Sequence, residues 1–274
     1  MEKALINTVH KHGINYKKPN VLILSKYKSS LLENKILAVA ISKAKKEEGR
    51  AIARISASEL KPIICKNGKT SGSFYTRLKE MALEMTGRKI FIEDPDRKSF
   101  AAINLVGSAT YKDNTFTIKF EPDITDILLD VKNNYTTLNL PILMSFNKVY
   151  SYRIYELLRS QAYEHKNSML IGEEFSLCYS LSELKLTIGV VDTNAESVSK
   201  ALKKPDPDFD HIVNNIAKEK TFDNWSDFRR KVLDVAVAEI NEKSDIKVRY
   251  DVVRENHGGK VTKVIFYFKF NNNN

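Results

Sequence analysis

The sequence has very little cysteine and no long apolar run, and both absences narrow the class of protein. Cys65 and Cys178 are isolated, so they provide neither a disulfide framework nor the ligands of a zinc site. A membrane-spanning helix needs roughly 18 or more apolar residues, whereas the longest candidates, 36–41 and 100–107, fall far short. Residues 1–18 also lack the apolar stretch of a signal peptide. We therefore expect a chain that works in the reducing cytoplasm without a membrane partner.

Acidic residues are too few to balance the basic ones. The 274 residues include 44 Lys and Arg against 34 Asp and Glu, which gives a formal net charge of +10. A basic excess of this size favours a polyanionic partner, and charge alone does not choose between nucleic acid and an anionic membrane surface. The length is enough for two modest cores, and the hydrophobic content of 42% favours a folded chain.

Two short motifs suggest chemistry, and both are incomplete. Residues 68–70 read Gly-Lys-Thr, but a phosphate-binding loop needs a glycine five positions earlier, where this chain has Ile63. His10 and His12 resemble the paired metal-binding histidines of rolling-circle nickases, but Lys11 lies between them where those proteins have an apolar residue. We therefore predict a protein that is not an enzyme, with no catalytic residue, metal or cofactor. An origin nickase remains an alternative, which strand cleavage with a divalent metal would distinguish.

One short stretch of sequence occurs twice, 124 positions apart. Residues 55–64 read ISASELKPII and residues 179–188 read YSLSELKLTI. Ser56 and Ser180 are each followed three residues later by a glutamate, which is the pattern of a capping box at a helix N-terminus. The pattern predicts the same short helix twice, with one leucine of each copy pointing inward. The glutamates are Glu59 and Glu183, and the leucines are Leu60 and Leu184.

Each copy is followed by a segment with the periodicity of an amphipathic helix, at 73–85 and at 226–240. When the first segment is shifted by 154 positions, its apolar residues fall on those of the second. The matched pairs are Phe74 with Phe228, Leu78 with Val232, Met81 with Val235, and Ala82 with Ala236. The offset grows from 124 to 154, so the second half must contain extra residues. The polar segment 189–224 is the predicted insert, an exposed loop with local helix.

The same order of elements surrounds both copies. A longer helix is predicted before each one, at 30–46 and 148–165, and strand-rich hairpins follow, with turns at 111–115 and 254–260. The order helix, short helix, amphipathic helix and β-hairpin is typical of a winged helix. We therefore predict an α+β fold of two tandem winged-helix domains related by internal duplication. The predicted domains are 1–130 and 131–274, and the junction at 121–147 is expected to contain a helix and a connecting loop.

A basic cluster lies at the start of the second amphipathic helix, where Arg229, Arg230 and Lys231 follow Phe228. Helix-turn-helix and winged-helix proteins present this part of the helix to the major groove of DNA. An arginine there binds a guanine edge or a phosphate; the alternative is a solvated charged face. We interpret Trp225 as a packing anchor rather than a wedge between bases.

The other predicted DNA contacts are Ser226, Lys260 and Lys263 in the second half, and Ser73, Tyr75, Thr76, Arg77 and Lys79 in the first. Because the first half is less basic here, we expect the second domain to supply most of the affinity.

The chain resembles the replication initiator (Rep) proteins of iteron-containing plasmids. The resemblance rests on residues 24–46, 151–163, 179–189 and 227–251, and it covers nearly the whole chain. It implies two winged-helix domains that bind the repeated origin sequences called iterons.

The resemblance also implies the partners of the protein. These are double-stranded DNA, both as origin direct repeats and as an operator, a second copy of the chain, and the host replication initiator and helicase. The dimer would form largely through the first domain and repress its own gene, whereas the monomer would bind iterons, help to open the origin and recruit the host proteins. A winged-helix transcription regulator without a replication role remains an alternative, which the absence of tandem repeats beside the gene would favour.

Overall fold

The chain forms two compact units in a computed structural model. The first unit contains the chain up to Ile23 together with Ser30–Ser145, and the second contains Leu24–Ser29 and the chain from Phe146 onward. This division assigns residues 131–145 to the first unit, whereas the sequence predicted a boundary after residue 130. The structure describes residues 15–65, 71–94, 99–130, 132, 134–161, 173–204, 206–218, 222–256 and 259–271, without the side chains of 71–73 and 91–102.

The first unit consists of helices around small antiparallel sheets. A four-stranded sheet has the strand order β2-β3-β7-β6, and two further pairs are β4 with β5 and β1 with β8. The helices are α1 (Asn20–Leu24), α2 (Leu31–Lys43), α3 (Ala57–Ile64), α4 (Ser71–Thr86), α5 (Thr125–Leu129) and α6 (Leu140–Ser145). The strands are β1 (Asn15–Pro19), β2 (Lys45–Glu47), β3 (Arg50–Ser56), β4 (Lys89–Asp94), β5 (Ser99–Asn104), β6 (Val106–Lys112), β7 (Thr115–Phe120) and β8 (Tyr135–Asn139).

The short and amphipathic helices of the first unit form where the sequence predicts them. The backbone N–H of Ser56 donates to Glu59 Oε2 over 3.0 Å at the start of α3, and Leu60 is completely buried. Helix α4 packs its apolar face into the core through Phe74, Leu78, Met81 and Met85. The turn between β6 and β7 contains two residues with left-handed backbone, Asp113 (φ 50°) and Asn114 (φ 57°), as a tight two-residue hairpin requires.

The second unit repeats this arrangement. The helices are α7 (Val149–Gln161), α8 (Leu181–Thr187), α9 (Glu196–Leu202), α10 (Phe209–His211, continued by the π-helical turn Ile212–Ile216) and α11 (Trp225–Phe228, the π-helical turn Arg229–Leu233, and Asp234–Lys243). The strands are β9 (Phe175–Ser180), β10 (Ile246–Arg254) and β11 (Val261–Phe270), and they form one antiparallel sheet in the order β10-β11-β9. The hydroxyl of Ser180 accepts from the backbone N–H of Glu183 over 3.1 Å, and Leu184 is completely buried.

Both units therefore have the order of a winged helix, and the predicted duplication is confirmed at the level of secondary structure. One missed element is common to both halves. A strand precedes each short helix, β3 in the first unit and β9 in the second, and it pairs with the last strand of the hairpin, β7 or β11. This strand joins the helices of each unit to its β-wing through backbone hydrogen bonds.

The π-helical turn in α11 changes which residues are buried. The expected partner of Met81, Val235, is only partly buried, whereas Leu233 and Ile240 are completely buried. A π-helical turn inserts one extra residue into a helix, so completely buried residues recur every four positions, at Phe228, Val232, Ala236 and Ile240, and Val235 lies beside this stripe. The prediction that Val235 belongs to the buried stripe is therefore wrong, and the predictions for Phe228, Val232 and Ala236 are confirmed.

The predicted insert is folded rather than an exposed loop. Residues 189–217, which we call the insert lobe, contribute α9, α10 and a small apolar core that packs on Leu186 of α8. The buried members of this core from the lobe are Val191, Val198, Ala201, Leu202, Ile212 and Ala217. The lobe lies in the chain between α8 and α11, so it replaces the short turn of an ordinary helix-turn-helix.

Two further expectations are corrected and three features cannot be placed. The junction contains a strand, β8, that pairs with β1 near the start of the described chain, and Lys45 and Lys46 lie in β2 instead of ending α2. The histidines at 10–12, the Gly-Lys-Thr at 68–70 and residues 257–258 of the second turn lie outside the described residues. Within the parts of the chain that the structure describes, no helix is long and apolar enough to cross a membrane.

Candidate nucleic-acid interface

The N-terminus of α11 is fixed by a side chain that the sequence reading overlooked. Asn224 is the N-cap, and its Oδ1 accepts from the backbone N–H of Ser226 over 2.8 Å. The helix therefore begins at Trp225, and Ser226 lies exposed in the first turn. Free backbone amides and the positive end of the helix dipole make such a first turn favourable for an anion.

The three predicted cations of α11 are exposed and lie beside two carboxylates. Arg230 Nη2 lies 2.9 Å and Lys231 Nζ 3.3 Å from Oδ1 of Asp227. Arg229 Nε lies 3.6 Å from Oδ2 of Asp234. The hydrogen bond from Lys231 and its positive charge hold the pKa of the Asp227 carboxyl below its ordinary value. Exposed ion pairs of this kind contribute at most about 1 kcal/mol, so a phosphate can replace these carboxylates at little cost.

The β-wing reaches this part of the helix. Tyr250 of β10 donates its hydroxyl to Asp234 Oδ1 over 2.5 Å, and burial, followed by this hydrogen bond, raises the Tyr250 pKa well above its ordinary value. Asp234 therefore contacts both Tyr250 of the wing and Arg229 of the helix.

The predicted wing lysines lie where the sequence places them. Lys260 directly precedes β11 and Lys263 lies within it, paired with Val253 on one side and Ser180 on the other, and both side chains are exposed. Sequence reading missed Arg254, an exposed residue at the end of β10 whose Nη1 donates to Gly259 O over 2.9 Å. The sequence signal that could have identified Arg254 is its position beside a turn that contains two glycines.

An aromatic cluster holds the start of α11 against the body of the second unit. The ring centroid of Phe228, which is completely buried, lies 6.1 Å from that of Trp225 and 6.4 Å from that of Phe222. The Phe222 ring in turn packs edge-on against Tyr150 of α7. Trp225 thus contacts the core, as the packing interpretation expects.

A buried lysine also contacts this region. Lys185 of α8 is 6% exposed, and its Nζ donates to the backbone carbonyl of Phe222 over 2.9 Å. Phe222 has left-handed backbone with φ of 60°, and the same ammonium group lies 5.4 Å from the centroid of the Phe228 ring. Burial lowers the pKa of Lys185. The contacts indicate that Lys185 positions the residues that lead into α11.

The far end of α11 is attached to α7. Glu239 accepts from the backbone N–H groups of Asn147 over 2.6 Å and Lys148 over 3.2 Å, just before α7 begins. Burial acts to raise the pKa of Glu239, but hydrogen bonds from Lys243, Ser151 and Asn147 outweigh it and lower the pKa. Both ends of α11 are therefore held by polar contacts as well as by its apolar stripe.

The equivalent helix of the first unit offers fewer free cations. Arg77 Nη1 donates to the carbonyl of Ile64, the last residue of α3, over 2.9 Å. Tyr75 is 59% exposed, with its ring 6.3 Å from that of Tyr111 on β6. Thr76 and Lys79 are exposed, and the side chain of Ser73 lies outside the described residues. Arg88, two residues beyond the end of α4, forms a bidentate pair with the buried Glu33 of α2, so this cation is also engaged within the first unit.

Comparison with known families decides the class of protein. Residues 15–159 match the model described as "Initiator Replication protein, WH1" and residues 213–268 match "Initiator Rep protein, WH2". The chain belongs to the initiator replication (Rep) protein family. Residues 160–212 of this Rep protein lie outside both matches, and they include most of the insert lobe.

The fold of this Rep protein is similar to that of the Pi initiator protein. The crystal structure of the Pi initiator protein in complex with iteron DNA is similar over 95% of this chain and 98% of that one, with a TM-score of 0.63 and 20% sequence identity. The structure of domains 2 and 3 of RctB is similar over 94% of this chain and 87% of that one, with a TM-score of 0.46 and 11% identity. Among curated proteins, none is significantly similar in sequence.

The position of Lys185 leads to a first prediction for this Rep protein. In a Lys185→Met variant, Phe222 loses its hydrogen bond to the ammonium group, and the start of α11 is held less firmly. We expect affinity for cognate DNA to fall by about 1–2 kcal/mol, the order of a hydrogen bond to a charged group. The slope of log affinity against log salt should stay unchanged, because no phosphate contact is lost.

A matched control comes from the repeated stretch itself. Lys61 occupies the same position in α3 and is exposed, so Lys61→Met removes the same charge without an internal contact to α11. DNA titration of both variants at several salt concentrations checks the prediction. A reduced salt slope in Lys185→Met alone would mean that Lys185 binds phosphate directly and does not act through Phe222.

Proposed function

We propose that this Rep protein is a sequence-specific plasmid replication initiator that binds iterons with both winged-helix domains. The observation that carries the proposal is the exposed cluster of Arg229, Arg230 and Lys231 at the N-terminus of α11, in a domain that belongs to an initiator family. Winged-helix proteins place this part of the helix in the major groove. The Pi initiator protein, whose fold is similar over most of both chains, was solved in complex with iteron DNA, which supports the same ligand for this chain.

The charge distribution favours a division of work between the two domains. The second domain has three exposed cations on one helix turn and further exposed cations on its wing, whereas in the first domain Arg77 is engaged with Ile64. We therefore propose that the second domain supplies most of the affinity and the first an auxiliary contact. Affinity should fall steeply with salt, because each neutralised phosphate contributes about −0.9 to the slope of log affinity against log salt.

The finer roles of the protein follow from the family resemblance. We propose that a homodimer, formed largely through the first domain, represses the gene of the protein, and that a monomer binds iterons, promotes origin opening and recruits the host replication initiator and helicase. We also propose that the protein works in the cytoplasm and is not an enzyme. Its effect on DNA would come from binding energy alone.

Footprinting on the DNA that flanks its own gene tests the proposed ligand. We expect a ladder of protected direct repeats, and a duplex that contains one repeat should bind more tightly than a scrambled duplex of equal length. Protection of a single operator without repeats would favour a transcription regulator, and strand cleavage with a divalent metal would favour a nickase. Equal affinity for repeat and scrambled duplexes would contradict sequence-specific binding.

Mass measurement in solution tests the proposed assembly. The free protein should show a concentration-dependent dimer, and addition of the repeat duplex should shift it towards one protein chain per repeat. A monomer at all concentrations would contradict the dimer, without bearing on the choice of DNA ligand.

A further inference from the structure

The three cations of α11 differ in the atoms through which they contact carboxylates. Arg230 and Lys231 use terminal donors, Nη2 and Nζ, which both lie beside Asp227 Oδ1. Arg229 is contacted at the inner nitrogen of its guanidinium, because its Nε lies 3.6 Å from Asp234 Oδ2. Among the residues that the structure describes, none accepts a hydrogen bond from the two Nη groups of Arg229. These two groups form the fork that can bind O6 and N7 of a guanine.

The π-helical turn of α11 places Asp234 beside Arg229. In an α-helix the side chains that contact each other are three or four residues apart, and two residues five apart point about 140° away from each other. In the turn Arg229–Leu233 the backbone N–H of Asp234 donates to the carbonyl of Arg229, which is the five-residue hydrogen bond of a π-helix. The wider turn thus brings the residue five positions on next to Arg229. A regular α-helix of the same sequence would not form this ion pair.

The β-wing holds the same carboxylate through its other oxygen. Tyr250 donates its hydroxyl to Asp234 Oδ1 over 2.5 Å, whereas Arg229 lies beside Oδ2. The Tyr250 ring is fixed by the core of the second unit, since its centroid lies 6.4 Å from that of the completely buried Phe266. In the part of the chain that the structure describes, Asp227 pairs instead with two cations of its own helix. The carboxylate of Asp234 is therefore anchored outside α11, and that of Asp227 is not.

We propose that Asp234 and Tyr250 are positioning residues, which hold Arg229 by its Nε so that both of its Nη groups bind one guanine of the repeat. Arg230 and Lys231 then bind phosphates, since they must release Asp227 before their terminal donors can contact DNA. An arginine that is already held loses less side-chain freedom when it binds, so its contact discriminates more strongly between bases. This inference rests on the proposed function, because it requires α11 to lie in the major groove.

Binding to a series of duplexes, in which each base pair of the repeat is replaced in turn, tests the proposal with the full chain. Arg229→Ala should relax the preference at one G·C pair. Asp234→Ala should relax the preference at the same pair, by about fivefold or more, although it removes no DNA contact. The double variant should discriminate no less than Arg229→Ala alone, because Asp234 acts through Arg229. Tyr250→Phe, which changes no charge, should give a smaller loss at the same pair and leave the salt slope unchanged.

Two matched variants control for charge and for the loss of a hydroxyl. Asp227→Ala removes the other carboxylate that pairs with the cations of α11, so it should tighten binding to all duplexes alike and keep the preference at every pair. Tyr267→Phe removes a hydroxyl from the opposite face of the same sheet, because Tyr267 pairs with Arg249 whereas Tyr250 pairs with Phe266. Its affinity and its preference should be those of the parent.

Three results would overturn the proposal while iteron binding stands. In the first, Asp234→Ala and Tyr250→Phe keep the preference of the parent at every pair. In the second, Asp234→Ala relaxes a pair that Arg229→Ala leaves unchanged, so that Asp234 does not act through Arg229. In the third, Arg229→Ala weakens all duplexes alike, which means that Arg229 binds phosphate. If Asp234→Ala folds poorly, Tyr250→Phe alone decides. A parent protein that binds every duplex equally would instead contradict the proposed function, and this inference with it.

Discussion

Alanine at Arg229, Arg230 or Lys231 is expected to weaken binding of the cognate repeat, in one of two distinguishable ways. If the replaced residue reads a base, binding should weaken by about 1–3 kcal/mol and the sequence preference should relax at one position. If the replaced residue contacts phosphate, binding to all sequences should weaken alike, and the magnitude of the salt slope should fall by about one. Simultaneous replacement of all three should remove most discrimination between repeat and scrambled DNA, because these are the exposed cations in the first turns of α11.

Titration against cognate and scrambled duplexes at several salt concentrations measures both effects. Lys200→Ala is the control for charge alone, because Lys200 is an exposed cation on α9 of the same unit. If the three alanine variants are folded and bind the repeat as tightly as the parent, α11 is not the reading helix. If Lys200→Ala weakens binding as much as they do, the effect is long-range electrostatics and not contact.

Asp227 provides an internal check in the opposite direction. It forms ion pairs with both Arg230 and Lys231 in the free protein. These two cations must therefore give up the carboxylate when they bind DNA. Asp227→Asn should therefore tighten binding modestly, by up to about fivefold, because an exposed ion pair is weak. The gain should apply to scrambled DNA as well, since the freed cations attract any phosphate.

The repeated architecture could be predicted because local signals carry it. The Ser-x-Ser-Glu-Leu-Lys stretches and the periodic apolar residues of α4 and α11 are contained within a few helical turns. The missed strands depend on distant partners instead. Ile55 of β3 pairs with Phe116, and Tyr16 of β1 pairs with Leu138, so their strand character comes from the sheet and not from their own sequence.

Other features depend on contacts that no local pattern reveals. Arg77 stays a predicted DNA contact, and the hydrogen bond from its guanidinium to the carbonyl of Ile64 could not be read from the sequence around it. The prediction for Val235 is wrong because the π-helical turn at Arg229–Leu233 makes the buried positions recur every four residues, which leaves Val235 beside the stripe. The insert lobe was read as an exposed loop because its few apolar residues, such as Val198 and Ile212, are spread through a polar segment.

The buried arginine of α7 leads to the largest expected loss of stability. Arg153→Met should destabilise the second unit by about 3–5 kcal/mol, because it leaves the charge of Glu156 buried without this partner and also removes the donors to Ser25 and Thr187. That is a large share of the roughly 5–15 kcal/mol by which a domain is stable. Trp225 is the only tryptophan and lies in the second unit, so its fluorescence during denaturant unfolding reports the unit in question.

A second arginine on the same helix gives the control. Arg159 is partly exposed and pairs with Asp245 over 3.1 Å, and Asp245 also accepts from the hydroxyl of Tyr155. In Arg159→Met the Asp245 carboxylate stays about one-fifth exposed and keeps the hydrogen bond from Tyr155, so the cost should be smaller, about 1–3 kcal/mol. The double variant Arg153→Met/Glu156→Gln should recover part of the loss, because it removes the isolated charge. Equal effects of the two single substitutions would mean that the contacts of Arg153 do not stabilise the unit more than this partly exposed pair does.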